Sequence, residues 1–173
     1  MNYSLIRKND IANGLGIRVS LFVSGCKHHC KGCFQPETWD FNYGKKFTNS
    51  EVNTILDLLK PNYVNGLTLL GGEPLDLNNQ PGVYSLLCEV KKKFPNKNVW
   101  CYTGYTYETD LCRNGIAYGK YTDKILEMID ILVDGKFIEE KKDISLVFRG
   151  SGNQRLIDMK PTRRTNSVKL LKL

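Results

Sequence analysis

The chain contains no apolar run long enough to span a bilayer, so no membrane association is expected. No secretory signal opens it either, and a cytoplasmic location is therefore expected. In a reducing cytosol the 6 cysteines would remain free thiols, which argues against disulfides. These absences disfavour an integral membrane protein and a disulfide-stabilised secreted domain.

The sequence also lacks internal repeats, low-complexity tracts and an evident linker, and its 173 residues suit one domain. The formal net charge of +7 comes largely from scattered lysines, which we interpret as solvated surface, so nucleic acid is an unlikely partner on this pattern. The concentrated basic stretch runs from Thr162 to Lys172 and is more typical of a frayed terminus than of a nucleic-acid contact. We expect a single domain over residues 1–160 and a basic C-terminal tail over residues 161–173.

Three cysteines stand in one short loop, at Cys26, Cys30 and Cys33. Thiolates are the usual protein ligands of iron-sulfur clusters, and three of them can bind three irons of a 4Fe-4S cluster. No fourth cysteine is close in sequence, so the fourth iron would remain open for chemistry. The other cysteines are too widely separated for a second ligand motif and are interpreted as small buried or surface residues: Cys88, Cys101 and Cys112.

Zinc is the alternative metal for this loop. His28 or His29 could complete a site of three cysteines and one histidine, which would make the protein a non-catalytic, zinc-stabilised binding module. Either ring would have to fold back within a short span, and zinc ligands usually come in two separated pairs. The spacing therefore favours a cluster, and both histidines are predicted to be exposed loop residues or contacts to a partner.

Apolar residues follow strand and helix periodicities in turn along most of the chain. Predicted strands cover residues 17–23, 67–70, 99–102, 132–133 and 146–148. Helical spacing of apolar residues predicts amphipathic helices with buried faces at 52–59, 83–90 and 125–132. The segment Thr48-Asn49-Ser50-Glu51 has the form of a capping box before the first helix. This alternation predicts an α/β fold with mostly parallel strands, either open or curved into part of a barrel.

Unusual short segments follow the predicted strands. They are Cys26, Gly71-Gly72-Glu73, Thr103-Gly104, Asp134-Gly135 and Arg149-Gly150-Ser151. Because the carboxyl ends of parallel strands meet at one edge, we expect these segments to share a single rim. Taken alone, Gly-Gly-Glu-Pro would be an ordinary turn, but beside the cysteine loop its glycines would let the backbone approach a ligand.

The cysteine spacing, the aromatic Phe34 and the segment Gly71-Gly72-Glu73-Pro74 resemble the radical S-adenosylmethionine (SAM) superfamily. Within it, the chain is similar to the glycyl radical activating enzymes that act on anaerobic (class III) ribonucleoside-triphosphate reductase. This closer likeness is carried by Asn13-Gly14, Thr38-Trp39, Thr103-Gly104-Tyr105, Asp134-Gly135-Lys136, Arg149-Gly150-Ser151 and Asn153-Gln154-Arg155. The resemblance implies a shortened partial (β/α) barrel of the radical SAM type.

The resemblance also implies the cofactors and the reaction. A 4Fe-4S cluster would be held by Cys26, Cys30 and Cys33, with SAM on the open iron, and its reductive cleavage would produce a glycyl radical on the reductase. A one-electron donor such as flavodoxin would supply the electron to this oxidoreductase. The residues expected to bind SAM are Gly32, Cys33, Phe34, Gly71, Gly72, Glu73, Thr103 and Asp134.

Some of these roles have structural alternatives. Phe34 could instead be a core aromatic beneath the loop, while Thr103 and Asp134 each suit a structural turn. The polar residues between 149 and 155 could bind SAM, receive the partner, or form a hydrogen-bonded turn.

Another glycyl radical enzyme, such as pyruvate formate-lyase, is the alternative partner. Several activators of that kind carry a cysteine-rich, ferredoxin-like insert. The sequence shows no such insert, which favours the reductase.

Overall fold

The centre of the molecule is a sheet of seven strands. In the computed structural model, which describes residues 1–172, the strands are β1 (Asn2–Asp10), β2 (Ile17–Val23), β3 (Lys45–Lys46), β4 (Val64–Gly71), β5 (Asn98–Tyr102), β6 (Ile131–Asp134) and β7 (Arg155–Asp158). Their order is β3-β1-β2-β4-β5-β6-β7. Neighbours from β2 to β6 run parallel, whereas β1, β3 and β7 pair antiparallel. The prediction of an α/β fold with mostly parallel strands is confirmed, and the sheet is open, with β3 and β7 at its edges.

Within residues 1–172, four α-helices accompany the sheet: α1 (Asn49–Leu59), α2 (Gln80–Lys93), α3 (Thr122–Met128) and α4 (Met159–Thr165). The predicted capping box is confirmed at α1, because the Thr48 amide donates to Glu51 Oε2 at 2.7 Å and Thr48 Oγ1 accepts from Ser50 at 3.2 Å. These bonds satisfy amide groups that the first turn of a helix leaves without partners. Among the described residues, no helix combines the length and apolar character that a membrane crossing requires.

The two faces of the sheet are covered differently. On one face, alternate strand residues such as Leu21, Leu69 and Cys101 pack in one buried cluster with the apolar sides of α1, α2 and α3. The opposite face carries a smaller buried cluster that includes Trp100 and is covered by Phe148, which lies in a loop. Burying one face under helices therefore leaves the other face available for a cavity.

Several predicted elements differ from the observed ones. Residues 146–148 form turns and no strand, and Phe148 has a φ of 56°, with its ring 5.3 Å from that of Trp100. The sequence also indicated a helical face over 125–132, but α3 ends at Met128 and Leu132 lies in β6. Neither β1 nor β7 was predicted.

The C-terminal region returns to the sheet. Thr162 in α4 is buried and accepts a hydrogen bond from the Lys169 amide at 2.9 Å. The Leu171 amide donates to the Leu156 carbonyl at 2.8 Å, beside β7. Thus residues on both sides of position 160 pack together, while the domain boundary placed there stays a prediction.

Candidate cluster and cofactor site

A cavity of about 630 Å³ opens on the sheet face opposite α1, α2 and α3, at the carboxyl ends of the parallel strands. All three loop cysteines line it, as do Gly71-Gly72-Glu73, Thr103-Gly104, Gly135 and Arg149-Gly150. The segments that follow β2, β4, β5 and β6 therefore meet there, as the sequence predicted. The fifth segment arrives from a loop and not from a strand.

The cysteine loop is held to the residues that follow it. The Gly25 amide donates to the Thr38 carbonyl at 2.8 Å and the Cys26 amide donates to the Trp39 carbonyl at 3.1 Å. Cys26 is buried, whereas Cys30 and Cys33 are half-buried, and all three are free thiols. Burial raises the pKa of Cys26 to about 12 and also raises the pKa of Cys30. Bound metal would therefore displace thiol protons, because the thiolate is the ligand form.

Three free thiols around one cavity are a donor set that fits a 4Fe-4S cluster. Within residues 1–172, no three His, Cys, Asp or Glu side chains are grouped so as to hold one metal ion. A 4Fe-4S cluster does not require three ligands to converge on one ion, since each thiolate binds its own iron.

The two loop histidines contact other side chains. His28 Nε2 lies 3.0 Å from Glu73 Oε2, and the imidazole packs edge-on against Tyr105 with ring centroids 4.4 Å apart. The prediction of exposure is wrong for His28, whose side chain is 14% exposed. His29 is exposed and stacks on Trp39, with ring centroids 4.6 Å apart.

The Glu73 side chain accepts four hydrogen bonds and is only 1% exposed. Its Oε1 accepts from the Leu75 amide at 2.9 Å and from Thr103 Oγ1 at 2.8 Å. Its Oε2 accepts from the Gly104 amide at 2.7 Å and from His28. A buried carboxylate needs such donors to offset the loss of water. Glu73 thus joins the cysteine loop, its own turn and the end of β5.

The glycines before Glu73 bring β4 against the cysteine loop. A Cβ on Gly72 would lie 2.7 Å from the Gly25 carbonyl oxygen and 2.9 Å from that of Thr38. The Gly72 amide donates to the Val23 carbonyl at 2.7 Å, and the Glu73 amide donates to the Gly25 carbonyl at 2.8 Å. Gly72 is therefore required for a close approach of two backbone segments at the cavity wall.

Some of the remaining residues predicted to bind SAM line the cavity and others do not. Thr103 and Phe34 line it; the Phe34 side chain is 68% exposed, so the alternative of a core aromatic is wrong. Gly32 does not line it and lies against Glu139, whose Oε1 would be 2.7 Å from an added Cβ. Asp134 lies beside the cavity, where it accepts from Arg155 Nε and the Tyr107 amide, both at 2.9 Å.

Tyr102 lines the cavity but was not among the predicted site residues. Its hydroxyl and Arg149 Nε are buried atoms without a hydrogen-bond partner among the described residues. Burial raises the pKa of Tyr102, which keeps the hydroxyl protonated. The alternation of side chains in β5 could have indicated Tyr102, because Cys101 faces the helices and its neighbour must face the other way.

The segment that carries Arg149 is a hydrogen-bonded turn. Gln154 Oε1 accepts from the amides of Gly150 at 2.8 Å and Ser151 at 3.1 Å. Gln154 Nε2 donates to the Gly135 carbonyl at 2.9 Å, and Arg149 Nη1 donates to the Gln154 carbonyl at 3.0 Å. The predicted alternative of a structural turn is therefore confirmed for Gln154, and the turn presents Arg149 to the cavity.

Comparison with known proteins places the chain in a family. A family model described as a 4Fe-4S single cluster domain matches residues 12–157. Three relatives share the name anaerobic ribonucleoside-triphosphate reductase-activating protein. The one from Enterobacteria phage T4 is 39% identical, with 90% of this chain and 93% of the relative covered. For Escherichia coli (strain K12) the values are 37%, 89% and 96%, and for Vibrio cholerae serotype O1 they are 41%, 89% and 96%. The chain belongs to the family of anaerobic ribonucleoside-triphosphate reductase-activating proteins.

Proposed function

We propose that this protein activates anaerobic ribonucleoside-triphosphate reductase by reductive cleavage of SAM, which leaves a glycyl radical on the reductase. The observation that carries the proposal is the opening of three free thiols from one loop onto a cavity that is also lined by Tyr102 and Arg149. The names of the relatives supply the partner.

Cys26, Cys30 and Cys33 would hold a 4Fe-4S cluster, and the rest of the cavity would hold SAM. When bound, these groups would supply one-electron reductive cleavage of SAM and the hydrogen-atom abstraction that leaves a radical on a glycine of the reductase. A one-electron donor such as flavodoxin would deliver the electron.

The protein's own residues would bind, orient and exclude water. Cys33, Phe34, Gly71, Gly72, Glu73 and Thr103 line the cavity, which supports their proposed roles at SAM. Gly32 and Asp134 would act indirectly, Gly32 through the turn of the cysteine loop and Asp134 through Gly135. Phe148 and Trp100 would keep water from the inner sheet face.

The proposal extends to architecture and location. The parallel strands β2, β4, β5 and β6, with helices on one face and a cavity on the other, support the shortened partial barrel of radical SAM enzymes. We also propose a single domain over residues 1–160, followed by the basic segment 161–173. Free cysteines suit a cytoplasmic location.

The first experiment is anaerobic reconstitution of the purified protein with iron and sulfide. We expect about four irons per chain and reductive cleavage of SAM to 5′-deoxyadenosine. Alanine at Cys26, Cys30 or Cys33 should abolish cleavage, because each replacement removes one ligand. Matched replacements at Cys88, Cys101 and Cys112 should retain it. Stoichiometric zinc without iron, or full activity after loss of a loop cysteine, would contradict the proposal.

The second experiment identifies the partner. The reconstituted protein, SAM and a reductant are mixed with the anaerobic reductase, and electron paramagnetic resonance should detect a glycyl radical. Pyruvate formate-lyase serves as the comparison substrate under identical conditions. A radical on the lyase and none on the reductase would reassign the partner while leaving SAM cleavage intact.

A further inference from the structure

We propose that His28 is a positioning residue that sets the cysteine loop at the correct distance and angle from the SAM-binding segment Gly71-Gly72-Glu73. This inference rests on the proposed function for the presence of SAM. His28 would position the loop through its bond to Glu73 and not by contact with the reacting atoms.

Beyond Gly25, side chains tie the cysteine loop to the turn after β4. Backbone bonds join residues 23 and 25 to Gly72 and Glu73, as described above. Further along, Lys27 Nζ reaches Asp76 Oδ2 at 3.0 Å, but the Lys27 side chain is 59% exposed. The bond from His28 to Glu73 is shielded from water by comparison, and it lies two residues from each of Cys26 and Cys30. Shielding strengthens such a bond, since solvent competes less for either partner.

The imidazole of His28 occupies a slot shaped for it. A Cβ on Gly104 would lie 2.5 Å from His28 Cδ2, so any larger residue there would displace the ring. Tyr105 packs against the ring edge-on, and Glu73 Oε2 accepts from its Nε2. Because a carboxylate oxygen accepts, the proton sits on Nε2.

Shortening the side chain at position 28 would remove the side-chain bond from the loop to Glu73 without removing a cysteine, while the backbone bond from the Glu73 amide to Gly25 stays in place. The three thiols would still bind iron, but the loop beyond Gly25 would be held less firmly toward Gly71-Gly72-Glu73. Glu73 would also lose one of its four donors. Binding of SAM should therefore suffer more than assembly of the cluster. Loss of one hydrogen bond to a charged group corresponds to roughly a tenfold change in an equilibrium constant.

The test compares three variants after anaerobic reconstitution: His28→Asn, His28→Gln and His29→Asn. The amide nitrogen of glutamine extends about as far as Nε2 and can restore the bond, whereas that of asparagine cannot. His29 has a φ of 45°, which asparagine tolerates, so His29→Asn is the matched control. Iron content, the KM for SAM, kcat for 5′-deoxyadenosine formation, and the electron paramagnetic resonance spectrum of the reduced cluster with and without SAM are measured.

We expect normal iron content in all three variants. For His28→Asn, the KM for SAM should rise about tenfold with a smaller change in kcat, and the SAM-induced change in the cluster spectrum should be altered. His28→Gln and His29→Asn should resemble the wild type. The inference is overturned if His28→Asn matches the wild type in KM and spectrum, or if glutamine fails to rescue.

If His28→Asn loses iron, a second variant, Gly104→Ala, tests the role of His28. It displaces the His28 ring while the sequence of the cysteine loop stays intact. That variant should show the same raised KM, and a wild-type KM would overturn the role of His28. Failure of the wild-type protein to cleave SAM would instead refute the proposed function.

Discussion

Single side chains at the rim divide into those that face the cavity and those that hold its wall. Glu73 follows β4 and Asp134 ends β6; the two residues are equally buried, but their surroundings differ. Glu73 lines the cavity and binds donors from three segments, whereas Asp134 is paired with Arg155 at the start of β7. Two acidic residues at strand ends thus take different roles because their partners differ.

Replacing Arg155 by methionine should destabilise the fold. Arg155 donates to Asp134 and, through Nη1, to Glu108 Oε1 at 2.9 Å. Without it, the charge of Asp134 would stay buried with one donor, the Tyr107 amide. Because the Arg155 side chain is 31% exposed, we expect a loss of about 2–3 kcal/mol in the free energy of unfolding, below the range for fully buried pairs. Urea denaturation measures it. A loss no greater than that of Glu108→Gln would contradict this assignment.

The outer half of the same network predicts a pH dependence. The hydrogen bond from Arg155 lowers the pKa of Glu108 below its usual value. A lowered folded pKa means that the ionised form stabilises the fold above the unfolded pKa of about 4.3, and that this stabilisation is lost as the pH falls through the folded value. Glu108 is partly exposed, so the contribution is at most about 1 kcal/mol. The difference in unfolding free energy between wild type and Glu108→Gln should be constant near neutral pH and shrink below about pH 4. A difference independent of pH would contradict it.

At the level of elements, sequence patterns predicted the interior elements better than the edges. The capping box and apolar spacing predicted α1 and α2, and β2 matched its predicted limits. These elements bury a whole face, so their periodicity is strong. By contrast, β7 contributes two buried apolar residues, Leu156 and Ile157, and lies at the sheet edge. Its position depends on pairing with β6, which a local pattern does not encode.

The end of α3 depends on a residue from the basic C-terminal stretch. Arg163 Nη1 donates to the carbonyls of Leu126 at 2.7 Å and Ile129 at 2.9 Å. The last carbonyls of a helix have no partner within the helix, and a cation near them is favourable. Arg163→Ala should therefore lower the free energy of unfolding by about 1–2 kcal/mol.

Arg164 provides the matched control for this helix end. It is exposed, and its replacement by alanine should change stability by less than about 0.5 kcal/mol. Thermal or urea denaturation distinguishes the two variants. Equal effects at both positions would show that net charge, and not the bonds to α3, is responsible.

At the scale of the whole molecule, the two faces of the sheet differ in what covers them. Helices bury one face in the main core, while the other holds the cavity and is closed by loop residues such as Phe148. The cysteine loop follows β2 to the cavity, where backbone hydrogen bonds to Thr38, Trp39 and Glu73 hold it.

Reconstitution should stabilise the whole protein. A ligand that binds only the folded state adds about 2.7 kcal/mol at one hundred times its dissociation constant. For a chain of this size, such a gain corresponds to a rise in Tm on the order of 5 °C or more. Anaerobic calorimetry of apo and reconstituted protein measures the difference. Cys33→Ser should show no rise, Cys112→Ser should match the wild type, and a rise independent of Cys33 would contradict the ligand assignment.

The sequence by itself determined the donor set, the central strands and the two long helices, because cysteine spacing and apolar periodicity are local properties. Only the tertiary structure decided which rim residues contact one another. His28 and Glu73 are 45 positions apart, and Asp134 meets an arginine on a strand that no pattern predicted. Such pairs form because the sheet brings distant strand ends to one edge, where buried charges must find donors.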